Sequence, residues 1–219
     1  RVAYLVYRGN PHCGGQGVYT RELARELTAL GHTVEVFSGQ PYPELADPAQ
    51  LTRVPSLDLY RPENPFRVPW PWEFKTRIDM AEFAIMCAAG FPEPYTFSLR
   101  VRRLLRNRRA DFDVVHDNQC LGTGLAKMVD DVWPMLATLH HPVTVDRDLD
   151  LEYAKRAWKR FTLRRWYGFI DMQTRVTRQI PRLVTVSDSS RRDILDQMQV
   201  EPDRLHVVPV GADPAVFRP

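Results

Sequence analysis

The chain has 219 residues, 44% of them hydrophobic and 26% charged, which suits a soluble globular protein with a sizeable core in one domain or two small ones. Its net charge of +3 is too small to point to nucleic acid as a partner. Three scattered cysteines, Cys13, Cys87 and Cys120, form no CxxC pair and so argue against a disulfide framework and a structural zinc site, and for a reducing, cytoplasmic compartment.

In chain order, Val2–Tyr7 is a short continuous apolar run, the pattern of a strand buried on both faces. No charged-then-apolar leader precedes it, so no signal peptide is expected. Tyr19, Leu23, Leu27 and Leu30 then fall on one face of a 3.6-residue period, predicting a helix from about Gly17 to Leu30, closed by Gly31. Residues 33–38 read as the next strand. The first 38 residues are thus β-α-β, with Gly14, Gly15 and Gly17 crowded into the first strand-to-helix turn.

Residues 40–72 hold eight prolines and predict an irregular excursion with one short strand near Arg53–Leu57. Trp70 and Trp72 suggest that it packs against something. Helices follow near 73–88 and 95–108. The longest mostly apolar window, residues 80–91, carries Glu82 and is too short to span a bilayer. The alternation then resumes: strand 112–116, helix 120–129, strand 134–140, one long helix from about 151 to 178, strand 182–187, a helix capped by Ser187 or Asp188, and strand 204–211. So regular an alternation predicts an α/β, Rossmann-like, mostly parallel sheet covered by helices on both faces. In such sheets ligands bind beyond the C-terminal strand ends. The residues to weigh are therefore Gly14–Gly17, His116–Asn118, His140 with His141, and Ser187 with Asp188.

A helix N-terminus offers unpaired N–H groups and a partial positive charge, and glycines let a phosphate approach them. The alternative is a turn that only needs positive φ. Neither the dinucleotide fingerprint, which would need glycine where Thr20 stands, nor a P-loop is present. His140 and His141 can bond a sugar hydroxyl or phosphate, or merely pin a loop. No local spacing supplies a third metal ligand. His116, Asp117 and Asn118 either line the pocket or form a polar turn. Residues 151–180 carry eight Lys/Arg against two Asp/Glu. Leu151, Ala154, Trp158 and Phe161 share one face of a helical wheel there. Such a helix either lies on anionic lipid or packs on the sheet with its basic face solvated.

The stretches "GGQGVYTRELARELTALGHTVEVFSG", "DFDVVHDNQ", "MLATLHH", "RLVTVSDSSRRDIL" and "RLHVVPVGADPAVFRP" resemble, in this order, the N-terminal half of retaining GT-B glycosyltransferases of family 4. The likeness leaves out about 40–110 and departs at Val210, where the family often has asparagine. It implies two Rossmann-like domains around a cleft, the first holding the acceptor and the second the nucleotide-sugar, with no bound metal and no cofactor beyond that co-substrate. It implies that Gly14 and Gly15 turn backbone N–H groups toward the donor diphosphate. Gln16 and Gly17 would shape the acceptor side, and His140 would contact the transferred sugar. Asn118 and His141 are the further substrate-binding candidates.

The family's pair of glutamates eight positions apart is missing, so residues 1–210 are expected to be the acceptor-binding domain and 211–219 the start of the linker to an absent donor-binding domain. The expected partners are the chain's own C-terminal domain, a nucleotide-sugar, a small-molecule or lipid acceptor, and an anionic membrane surface through residues 151–170 at the inner membrane face. Two rivals remain: a nucleotide-dependent oxidoreductase and a non-catalytic lipid-surface module.

Overall fold

The computed structural model describes residues 1–12, 15–46 and 49–211. The apolar runs form β1 (Val2–Val6) and β2 (Val34–Ser38), buried at every residue. They join β3 (Gln50–Arg53), β4 (Val114–Asn118), β5 (Met135–Leu139), β6 (Arg182–Thr185) and β7 (Leu205–Val207) in a parallel sheet ordered β3-β2-β1-β4-β5-β6-β7. The helices are α1 (Gln16–Ala29), α2 (Arg77–Cys87), α3 (Glu93–Leu105), α4 (Thr123–Asp130), α5 (Thr144–Tyr153), α6 (Ala157–Trp166), α7 (Phe169–Thr177) and α8 (Asp188–Met198). The expected Rossmann-like α/β class is therefore observed.

Alternate residues of β1 feed two cores. Leu5 joins Val115, Ala137 and Leu183 of the neighbouring strands with Val101 of α3, Leu125 of α4, Val176 of α7 and Ile194 of α8. Tyr4 and Val6 pack with Val36 and Ala24 of α1. The chain runs outward from β1 to β3, then returns to place β4 on the other side of β1. In sheets of this kind, such a reversal places the ligand crevice beyond the C-terminal ends of the two strands, here β1 and β4.

The excursion's strand lies earlier than predicted, at Gln50–Arg53; Val54 adds one bond to the Ser38 carbonyl before Pro55 interrupts the ladder. The excursion is anchored by Leu57 and Leu59, both buried. Trp70 and Trp72 instead stack on each other, 5.0 Å apart and nearly parallel, in solvent. Arg67 fixes that loop by bonding the Leu57 carbonyl and the Glu73 carboxylate.

The single helix expected over 151–178 is three helices. Ala154 takes an extended conformation after α5, which resets the helical phase, and Gly168 separates α6 from α7. The wheel that grouped Ala154 with Trp158 and Phe161 therefore fails. Ala154 is buried, whereas Trp158 and Phe161 stand in solvent. Of the two candidate caps, Ser187 accepts the Ser190 N–H at the start of α8. The expected linker at 211–219 lies outside the described residues from 212 onward.

Candidate functional site

The first turn of α1 carries the glycine loop. Gly14 lies outside the described residues. Gly15 precedes the helix with φ +72°, the left-handed conformation that favours glycine, and has open space around it. Among the described residues no side chain caps α1, and its first bond runs from the Tyr19 N–H to the Gly15 carbonyl. The Gln16, Gly17 and Val18 N–H groups thus have no partner among the described residues. Gly17 is buried, and a Cβ there would come within 2.1 Å of the Asn10 carbonyl oxygen. Its missing side chain lets the segment after β1 pass against α1.

Asn118 ends β4 and His140 follows β5. In register, Asn118 lies opposite Thr138, two residues before His140. The half-buried His140 ring places Nε2 2.7 Å from Asn118 Oδ1. Asn118 Nδ2 donates to Thr20 Oγ1 at 3.4 Å, and Thr20 donates its own hydroxyl proton to the Gln16 carbonyl at 2.7 Å. That direction leaves Asn118 Oδ1 as an acceptor, so His140 Nε2 carries the proton and Nδ1 is the free lone pair. The edge of Tyr19 packs on the same ring, centroids 4.8 Å apart and planes 89° apart. Burial, reinforced by His141, pulls the His140 pKa down to about 4, so the ring is neutral at pH 7.

The backbone at His140 is held by a residue the sequence reading passed over. Gln119 Oε1 accepts the His140 N–H and its Nε2 donates to the His141 carbonyl, each at 2.6 Å. Gln119 itself sits at φ +54° and Leu121 at φ +52°. The buried Asp117 carboxylate, accepting the Leu121 N–H at 3.0 Å, closes this turn, and Gln173 donates to the Cys120 carbonyl. Burial raises the Asp117 pKa to about 7. His141 points outward, with its ring near Asp146. His116 turns inward onto Thr138 and Tyr4.

The structure thus gathers Gln16, Asn118 and His140 into one hydrogen-bonded unit and adds Thr20, Tyr19 and Gln119. His141 is joined to it through its backbone alone. Thr20 had a signal, since it occupies the position where a dinucleotide loop carries glycine. Gln119 had none, because its role comes from tertiary pairing of two strand ends. Among the described residues, no group of three His, Cys, Asp or Glu side chains is placed to hold a metal ion, and no helix is long and apolar enough to cross a membrane.

A family profile described as "Glycosyl transferase 4-like domain" matches residues 14–211. The chain is 59% identical to the MMP alpha-(1->4)-mannosyltransferase of Mycolicibacterium hassiacum, over all of this chain and 53% of that protein. It is 26% identical to the D-inositol 3-phosphate glycosyltransferase of Acidothermus cellulolyticus, over all of this chain and 46% of that one. The chain spans about half the length of the curated relatives it matches. Its fold superposes on sucrose-phosphate synthase from Thermosynechococcus elongatus with a TM-score of 0.59 at 15% identity, covering all of this chain and 50% of that one. It also superposes on WaaG, a glycosyltransferase involved in lipopolysaccharide biosynthesis, with a TM-score of 0.58 at 17% identity, covering 98% of this chain and 46% of that one.

Proposed function

The chain belongs to the glycosyl transferase 4-like domain family, and from that premise we propose that it is the acceptor-side half of a cytoplasmic GT-B enzyme. The reaction is transfer of a hexose, mannose by analogy with the 59%-identical relative, from a nucleotide-sugar to an acceptor hydroxyl with retention of configuration. Its other half, a C-terminal domain continuing past the family match, brings the donor. The observation that carries this reading is the hydrogen-bonded unit running from the first turn of α1 to His140.

Each end of that unit has a task. The N–H groups of Gln16, Gly17 and Val18, unpartnered among the described residues and behind an open Gly15, would face negative charge developing on the departing diphosphate. Neutral His140, its Nε2 proton committed to Asn118, offers Nδ1 to a hydroxyl of the transferred sugar. It fixes the sugar's orientation rather than donating a proton. His141 stands at the rim. The oxidoreductase alternative is disfavoured because Thr20 is fully buried inside the unit where the fingerprint glycine would leave room for a pyrophosphate.

To test this, the full-length protein is incubated with GDP-mannose or UDP-glucose and simple glycosides, and the product's anomeric configuration is read by NMR. A retained α-linkage supports the reading. Inversion removes the retaining assignment, and absence of transfer from every donor removes the reading itself.

One observation also favours membrane contact in the same enzyme. α6 holds Trp158 and Phe161 in solvent beside exposed Lys155, Lys159 and Arg164, a pairing suited to the anionic inner membrane face. Co-sedimentation with anionic liposomes that weakens with salt supports that contact; equal binding to neutral liposomes contradicts it.

A further inference from the structure

A second polar group stands at the crevice without a task in the transfer step. Tyr7 leaves β1, Gln40 follows β2 and Glu93 opens α3, and together with Ser56, Glu82 and Arg100 they line a recess. Its free space is about 10 Å³, room for one water-sized group. Glu82 is fully engaged: it bonds Arg100 at 2.6 Å, the Leu57 N–H and the Thr96 hydroxyl. Glu93 is not. Its Oε2 is sealed from solvent and is met only by Arg8 Nη1, in an ion pair at 3.3 Å that leaves it without a well-formed hydrogen bond among the described residues. A buried polar atom left unpaired is costly, and such exceptions mark places where a water or ligand group completes the bonding.

The charge around Glu93 narrows the ligand. Burial pushes its pKa up to about 8; Arg8 opposes the rise, while Glu82 and Asp58 add to it. At neutral pH it is largely a carboxylic acid that both donates and accepts. A phosphate would meet an Arg100 already paired with Glu82 and a recess too small for it. Position narrows the ligand further. Leu5, Asp117 and Ala137 form one register row, and Arg8 and His140 each lie three residues beyond it. The strands that lead to them, β1 and β5, are two strand spacings apart, about 10 Å, the scale of one sugar ring with its contacts.

We propose that this recess binds one uncharged hydroxyl of the acceptor, held by Glu93 with Arg8 positioning its carboxyl group, so that the acceptor is a neutral polyol and not a sugar phosphate. The inference rests on the transferase reading above and assigns the acceptor subsite within it.

The test uses the full-length enzyme with methyl α-D-mannopyranoside and mannose 6-phosphate as probes, comparing wild type with Glu93→Ala, Glu93→Gln and Arg8→Met, each checked for an intact thermal transition. Wild type is expected to prefer the glycoside. Glu93→Ala and Arg8→Met raise its KM about tenfold, the loss of one hydrogen bond's worth of binding, with a smaller change in kcat. In wild type that KM also rises above pH 8 as Glu93 ionises, and Glu93→Gln removes the rise. An unchanged KM in Glu93→Ala, or preferred transfer to mannose 6-phosphate, overturns the inference while leaving the transferase reading in place. Absence of transfer from any nucleotide-sugar to either probe overturns both.

Discussion

His140 Nε2 lies 2.7 Å from Asn118 Oδ1, and this bond is the last link of a relay that starts at the Gln16 carbonyl and passes through Thr20. The relay joins two strand ends to the first turn of α1. It sets which ring nitrogen of His140 carries the proton and leaves Nδ1 with the lone pair. Thr20 and Asn118 are fully buried, so the middle of the relay is specified by packing as well as by bonding.

Thr20→Val keeps the volume of a fully buried side chain and removes the middle link. Asn118 Nδ2 then loses its partner, and the amide can turn over. The expected result is a fall in kcat of about tenfold, with stability reduced by about 1–2 kcal/mol. Steady-state kinetics beside urea denaturation separate the two effects. Loss of stability with unchanged kcat would mean that Thr20 serves packing alone.

Gln119→Ala removes both bonds that hold the backbone at His140 and His141. We expect kcat to drop about tenfold or more, since small displacements of a positioning group are costly to rate. The KM for acceptor should change less. A rise in KM without a fall in kcat would place Gln119 in acceptor binding and not in positioning.

Arg100 bonds Asp79 and Glu82 at 2.6 Å each, and all three side chains are nearly buried. Arg100→Met would leave two carboxylates inside the fold without their counter-charge. A cost of about 3–5 kcal/mol is expected, read as a lowered denaturation midpoint. Replacing all three by apolar residues should recover most of it. Failure of the single substitution to destabilise would mean that the carboxylates take up protons or water at little cost.

His116 is buried, bonded to Thr138 at 2.7 Å, and burial lowers its pKa to about 4, with His140 pushing the same way. A histidine with a depressed folded-state pKa stabilises the fold above its unfolded pKa, and that contribution is lost as pH falls toward the folded value. Stability should therefore decline between pH 6.5 and about 4, by roughly 3 kcal/mol from His116 alone. Thermal melts across this range check it, and His116→Gln should flatten the slope. A slope unchanged by that substitution assigns the decline to other groups.

The sheet was legible in the sequence because each strand is a short apolar run set between helical periods. Val2–Val6 and Val34–Ser38 are buried on both faces and carry no competing signal. The break after α5 was hidden, because no glycine or proline marks Ala154 and the helical periodicity continues through it in sequence but not in space. Trp70 and Trp72 misled for a related reason: an aromatic pair can satisfy itself by stacking in solvent. At the site, His140, Asn118 and the glycine turn could be picked out because they follow strands. Gln119 could not, since its side chain matters only once β4 and β5 are side by side.

The most direct test of the central claim is transfer by the full-length enzyme carrying His140→Ala, with the donor saturating and acceptor varied. If His140 holds the transferred sugar at the junction of donor and acceptor, kcat should fall by about 10²–10³-fold while the protein still melts cooperatively. Turnover within twofold of wild type would contradict the account and remove His140, with the relay behind it, from the reacting centre.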